Sequence, residues 1–225
     1  MKCRVCGNDK NNIKYEAKEM MMGFRDTFDY FECSKCGCLQ ICEIPTDLDK
    51  YYPSNYLPHA QRETFTSKLY DILIIYIIFR RSLLGFLLYY FVNFDENEVI
   101  LYELLNTYRK NNLLKKESKI LDVGCADGKF LSYLYRGGCR NLTGIDLFID
   151  ESKFKDKLNL IQVALDEYDT DEQYDFIFSN HSFEHMENPL INLKCFKNLL
   201  KDNGYLFLSM PVKSKLIWEE YGINW

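Results

Sequence analysis

The sequence predicts an α/β protein: a doubly wound, mostly parallel sheet with helices on both faces, preceded by a small cysteine-rich module and an apolar connector. Three observations predict it. Short apolar runs alternate with helical segments from residue 118 onward, a glycine-spaced turn follows the first of these runs, and two Cys-x-x-Cys pairs lie 26 residues apart near the N-terminus. The segments expected are a metal-binding ribbon at 1–48, a helical, aromatic connector at 49–117, and an α/β domain at 118–225. With 225 residues, 47% of them hydrophobic, the chain has material for at least one core. Its net charge of −5 argues against affinity gained mainly by neutralising nucleic-acid phosphates. Nine cysteines without an N-terminal secretory pattern point to metal binding in the cytoplasm and not to disulfides.

In the first module, Cys3, Cys6, Cys33 and Cys36 have the spacing at which four thiolates converge tetrahedrally on one Zn²⁺. Gly7 and Gly37 follow the second cysteine of each pair, where a knuckle must bring backbone amides to sulfur. Residues 15–18 and 28–32 supply the short strands of a ribbon. Cys38 and Cys42 are close enough in sequence to stand in for a ligand, so the fourth ligand stays open. A redox dithiol needs only one pair. A site closed by four protein ligands performs no Lewis-acid chemistry, so this zinc is structural. Eight acidic and seven basic residues up to position 48 give the module no electrostatic footprint for nucleic acid.

The connector contains an almost wholly apolar stretch at 69–92, interrupted by Arg80 and Arg81. Two arginines near a bilayer midplane would each cost roughly 2.5–3.5 kcal/mol on insertion scales, and the flanking runs are too short to span. Buried or partner-facing helices are expected, with peripheral membrane contact as the alternative.

The α/β domain is expected to have strands at 119–123, 141–146, 158–163, 174–179 and 205–210. A helix is expected at 129–136. Another should start at Pro189, with Asn188 as its N-cap and Leu193, Phe196 and Leu200 on one face. Gly204 is expected to turn the chain into the fifth strand. Ile120-Leu121-Asp122-Val123-Gly124-Cys125-Ala126-Asp127-Gly128 places an apolar strand before a turn whose glycines let the backbone approach a bound nucleoside. Gly144-Ile145-Asp146 then ends the second strand with a carboxylate 18 residues beyond Gly128, placed to grip two ribose hydroxyls.

LDVGCADG, GIDL, YDFIFSNHSFEHMENP and LKDNGYLFLSMP resemble successive motifs of the class I S-adenosylmethionine-dependent methyltransferases, over about 118–211. The resemblance implies a Rossmann-like fold and S-adenosyl-L-methionine as cofactor. It implies that Asp122, Gly124, Ala126 and Gly128 form the cofactor turn, that Asp146 and Leu147 meet ribose and adenine, that Ala164 and Leu165 lie beside the adenine, and that Asn180 also contacts the cofactor. Ala126 replaces a glycine frequent in the family, a departure expected to be tolerated through a negative φ.

His181 and His185 follow the fourth strand, at the carboxyl end where open α/β sheets place their ligands. Methyl transfer to a hydroxyl requires in-line alignment and removal of a proton, and histidine as a residue type titrates near neutrality. His181 is the first candidate for that base and His185 the second; bracing of the following helix, or catalysis by alignment alone, are the alternatives. Tyr51-Tyr52-Pro53-Ser54-Asn55-Tyr56 between ribbon and motifs is similar to a bacterial subgroup associated with surface polysaccharides and nucleotide sugars. This implies O-methylation of a small carbohydrate-like acceptor. An RNA methyltransferase, or a non-catalytic cofactor-binding subunit, are the rival classes. Class I sheets have seven strands and only five are evident, so a C-terminally short domain with an open edge, and hence a homodimer, is expected.

Overall fold

The computed structural model describes residues 1–20, 22–47, 50–51, 76, 83–84, 87, 114–149 and 158–222. Most of the connector, including the 69–92 stretch apart from Tyr76, Leu83, Leu84 and Leu87, lies outside the described residues. No helix among the described residues is long and apolar enough to cross a membrane. Two compact units are distinguished by their internal contacts: Met1–Tyr56 with His181–Lys194 and Ser209–Trp225, and Leu57–Asn180 with Cys195–Leu208.

The first unit contains an antiparallel sheet of β1 (Ile13–Lys18), β2 (Thr27–Glu32) and β3 (Leu39–Ile41), in the order β1-β2-β3. β3 adds a strand to the two expected from sequence. Tyr15 opposes Tyr30, and Tyr30 opposes Ile41 across the other edge. The buried hydrophobic cluster of this ribbon is small: Cys3, Phe31 and Cys33, with Cys6 and Cys42 packed against it. Also in this unit are a 3₁₀ turn at Phe183–His185 and a short helix, Lys215–Tyr221, whose N-cap Ser214 accepts a hydrogen bond from the Ile217 amide at 3.2 Å.

The second unit holds a five-stranded sheet: β4 (Ile120–Val123), β5 (Leu142–Asp146), β6 (Asn159–Gln162), β7 (Tyr174–Asn180) and β8 (Leu200–Ser209, its last residue in the other unit). Their order is β6-β5-β4-β7-β8. β4 pairs in parallel with both β5 and β7, and β5 with β6. The strand order therefore reverses at β4, and the turn that leaves its carboxyl end opens at a topological switch point. This is the Rossmann-like arrangement expected. α1 (Lys129–Arg136) buries Leu131 and Leu134, and with Ile120, Leu121, Ile145, Phe176, Ile177, Phe178 and Phe196 they form the most deeply buried set of side chains.

Two local expectations are corrected. β8 begins at Leu200, so Gly204 lies inside the strand and not at its entrance. A Cβ at Gly204 would come within 2.9 Å of the Tyr174 carbonyl oxygen, which explains the glycine without a turn. α2 (Pro189–Leu199) buries Asn192, Phe196 and Leu199, whereas Leu193 is 39% exposed and Leu200 belongs to β8. The buried face is thus shifted from the predicted one, because a polar residue, Asn192, occupies an inward position.

Candidate functional site

β4 delivers Asp122 to the sheet interior, and the chain then turns through Gly124, Ala126 and Gly128 at φ of 77°, 49° and 70°. The positive φ of Ala126 corrects the expectation of a negative one. Left-handed backbone disfavours an L side chain by about 1–2 kcal/mol, and three hydrogen bonds hold the turn in it here. The amides of Gly124 and Cys125 both donate to the Ile145 carbonyl, at 2.8 and 3.2 Å. The Ala126 amide donates to Asp146 Oδ2 at 3.0 Å, while Oδ1 accepts from the Phe148 amide at 2.8 Å. Asp146 therefore braces the turn and the start of the next loop together, with a lone pair on each oxygen left for a ligand hydroxyl.

The turn sits tightly over its neighbours. A Cβ on Gly128 would meet Leu160 at 2.9 Å, and one on Gly144 would meet Leu160, Cys125 and Leu131 at 2.6, 2.7 and 2.9 Å. Gly144 thus lets α1 and the turn pack onto β5. Asp122 is 4% exposed. Burial, then the charges of Asp146 and Asp127, push it up to about 7. A buried carboxyl in that state is matched by a ligand bringing a donor or positive charge. Beside Asp146, Leu147 and Phe148 are 53% and 45% exposed, offering an apolar surface next to a hydroxyl-binding carboxylate. Ala164 is half-buried and Leu165 buried in the loop after β6. Asn180 is exposed at the last position of β7. A nucleoside with a cationic amino-acid arm, as S-adenosylmethionine is, fits this donor and acceptor set. Phe148 was not foreseen: its amide holds Asp146, a role that residue type does not signal.

His181 follows Asn180 with φ of 50°, and its amide donates to the Ser209 carbonyl at 2.8 Å. Its ring is 54% exposed, with Nδ1 3.7 Å from Glu184 Oε1. His185 ends the 3₁₀ turn, its amide donating to Ser182 at 3.0 Å.

In the ribbon, the Sγ atoms of Cys3, Cys6, Cys33 and Cys36 lie within 4.8 Å of one another. Cys3 to Cys36 is 3.7 Å and Cys6 to Cys33 is 3.5 Å. Four sulfurs at 2.3 Å from a tetrahedral zinc are about 3.8 Å apart, so this cluster fits the ion. Cys38 and Cys42 do not join it: the Cys38 sulfur lies against the Leu39 carbonyl and the Cys42 sulfur against Met1 Sδ. The Gln40 amide donates to Cys3 Sγ at 3.0 Å, and the Val5 and Cys6 amides donate at 3.4 and 3.5 Å. Gln40 had no signal in the sequence. Burial of Cys33 works against ionisation, but N–H donors from Cys36 and Lys35 outweigh it and push the thiol down to about 6. At Cys36 the Cys38 amide favours the thiolate, yet burial and neighbouring sulfurs push it up to about 12. A divalent cation at the centre would allow all four to ionise together.

A family model described as a methyltransferase domain matches residues 97–225. Among curated proteins, the chain is similar to (S)-coclaurine N-methyltransferase of Papaver somniferum, 31% identical over 126 residues that cover 51% of this chain and 34% of that protein. It is similar also to the ubiquinone biosynthesis O-methyltransferase of Glaesserella parasuis serovar 5 (strain SH0165), 33% identical over 116 residues that cover 45% of this chain and 48% of the relative. The chain thus spans between a third and a half of the length of these relatives. A solved structure of coclaurine N-methyltransferase bound to N-methylheliamine and SAH aligns over 48% of this chain and 35% of that one, at 22% identity and a TM-score of 0.39.

Proposed function

We propose, from the premise that this chain belongs to the methyltransferase domain family, that it transfers a methyl group from S-adenosylmethionine to a hydroxyl of a small carbohydrate-like acceptor. The observation that carries the cofactor half is the Asp146 carboxylate, which holds the Ala126 and Phe148 amides between the glycine turn and an exposed apolar pair. Asp146 would hold the ribose hydroxyls, Leu147 with Ala164 and Leu165 the adenine, and Asp122, Gly124, Ala126, Gly128 and Asn180 the methionine arm. The bound cofactor supplies an electrophilic methyl on a sulfonium. The chain's own task is to align the acceptor oxygen in line with that methyl and accept its proton.

His181 is proposed as that base, Nε2 taking the proton while Glu184 faces Nδ1, and His185 as the second candidate. Cys3, Cys6, Cys33 and Cys36 are proposed as ligands of one structural Zn²⁺ in a ribbon at 1–48, followed by the connector at 49–117 and the methyltransferase domain at 118–225. A role in bacterial surface-glycan synthesis in the cytoplasm, a homodimer, and peripheral membrane contact through 69–92 belong to the same proposal. The YYPSNY similarity and the acidic balance support the acceptor class over RNA.

Titration with S-adenosylhomocysteine, followed calorimetrically, tests the cofactor half. Asp146→Ala should weaken binding by about 10- to 100-fold, the equivalent of about 1.5–3 kcal/mol for hydrogen bonds to a charged group. An unchanged affinity in that variant, or no binding by the wild type, refutes it. Incubation with labelled cofactor and either nucleotide sugars or RNA separates the acceptor classes, and labelling of RNA alone would reverse the choice. Metal analysis should give about one zinc per chain.

A further inference from the structure

The ribbon does more than fold around its cysteines. Glu32 ends β2 one residue before Cys33, so the knuckle fixes where its side chain begins. Glu32 pairs with Lys213 at 2.5 Å, and both side chains are only about one-fifth exposed, at 22% and 19%. The same Glu32 oxygen accepts the Tyr15 hydroxyl at 3.2 Å. Tyr15 meets Trp218 edge to face, with ring centroids 5.2 Å apart at 77°, and the Lys213 ammonium lies 4.5 Å from the centre of the Trp218 ring. Two strands of the ribbon thus grip the segment that follows β8 by one ion pair and one aromatic contact, while a cation–π contact ties Lys213 to Trp218 within the segment itself. The grip continues: the Ser209 carbonyl, four residues before Lys213, accepts the His181 amide at 2.8 Å. Metal knuckle, Glu32, Lys213, Ser209 and His181 form a linked series inside one compact unit.

We infer that Glu32 and Lys213 are positioning residues: through them the metal ribbon holds the segment after β8, and with it the backbone of His181, in a fixed place. Calling this the acceptor side rests on the proposed function, but the holding contact itself does not. Its chemistry is an ion pair shielded from water on one side, with Tyr15 orienting the carboxylate and Trp218 the ammonium. Cofactor binding draws on a different set of residues and should not depend on it.

The test is amide hydrogen exchange on the full, zinc-loaded chain, with Trp218 emission read in a Trp225→Phe background and S-adenosylhomocysteine affinity measured beside it. Glu32→Lys and Lys213→Glu should each speed exchange of amides 212–221 by about fivefold and shift the Trp218 emission. The double variant, Glu32→Lys with Lys213→Glu, should bring exchange back toward the wild-type rate. Exchange unchanged in the single variants overturns the inference. So does acceleration spread evenly over the whole chain, or a double variant as loose as either single, since both describe general destabilisation. A wild type that fails to bind S-adenosylhomocysteine refutes the methyltransferase reading and leaves the exchange result to stand or fall by itself.

Discussion

The ribbon and the glycine turn both bend the chain through left-handed glycines around a polar centre, yet they depend on opposite things. In the ribbon, side chains converge: four sulfurs face one point, and the buried apolar cluster around them amounts to Cys3, Phe31 and Cys33. In the turn, backbone converges: amides of Gly124, Cys125 and Ala126 are tied to Ile145 and Asp146, over a sheet whose Ile120, Leu121, Phe176 and Phe178 are almost wholly buried, as are Leu131 and Leu134 of α1. Among the described residues, the first centre has too small an apolar core to stand without a bound ion. The second rests on a core that exists before any ligand arrives. Ligand loss should therefore unfold one and leave the other intact.

The largest expected effect breaks the comparison at the metal. Structural zinc sites in small domains contribute binding free energies of about 10–16 kcal/mol near pH 7, and this becomes folding free energy where no other core exists. Chelation, or Cys33→Ser, should abolish amide protection in residues 1–42 while protection in β4, β5 and β7 persists; a ribbon that stays protected without metal would show the small core to be sufficient. Next in size is the cost of Asp122. Its pKa is raised from 3.8 in the unfolded chain to about 7 in the fold, so the native state binds more protons between those values. As far as this group is concerned, stability of the ligand-free protein should be greatest at and below about pH 4, and fall by a few kcal/mol, on the order of the linkage relation, as pH rises through about 7. Asp122→Asn should remove that decline in denaturant titrations at pH 5 and 8. A decline of equal slope in the variant would assign it to other groups.

How much of this was legible depends on what each feature is made of. The Cys-x-x-Cys pairs specify their partner by chemistry, and the apolar runs at β4, β5 and β7 specify strands by burial, so both were readable from residue type. The start of β8 was not: Lys201-Asp202-Asn203-Gly204 has the composition of a turn, and pairing within the sheet overrides that local preference. The buried face of α2 was misplaced because Asn192, at 6% exposure, breaks the apolar period in which Leu193 stands. Gln40 and Lys213 carry no signature, because a donor to a distant sulfur and a partner to Glu32 are specified only once the chain has folded. The place of Asp146 at the end of β5 makes it a candidate ribose ligand in the sequence, but its bracing of Ala126 is specified only once the chain has folded.

Packing around the turn gives the third comparison. Gly144→Ala would set a methyl 2.6–2.9 Å from Leu160 of β6, Cys125 of the turn and Leu131 of α1, and this crowding where turn and helix pack onto β5 should cost about 1–3 kcal/mol in urea unfolding. The equivalent change at Gly37, where a Cβ meets nothing within 4 Å, introduces only left-handed strain, about 1–2 kcal/mol, and should appear as weaker metal retention and not as loss of the sheet. Equal losses of sheet stability from both would erase the distinction between the two centres.

The smallest effect is the most informative about Ala126. Its φ of 49° is a conformation that glycine adopts without penalty, so Ala126→Gly relieves about 1–2 kcal/mol of strain in the folded turn. Against this, glycine adds conformational freedom to the unfolded chain, which costs about 0.4–1 kcal/mol. The net change should be a gain of between about 0 and 1.6 kcal/mol, measurable as a modest rise in urea midpoint. The sign decides between two accounts of the turn. If Ala126→Gly stabilises, the Asp146 to Ala126 hydrogen bond is holding a strained residue in place, and cofactor affinity should be unchanged or slightly stronger because the same amide geometry is reached at lower cost. If it destabilises, the alanine methyl packs favourably and the turn is rigid by design of its contacts. Ala126→Val sharpens the choice: a β-branched residue is disfavoured at this φ whichever account holds, so it should destabilise the sheet unit while leaving metal retention in the ribbon as it was.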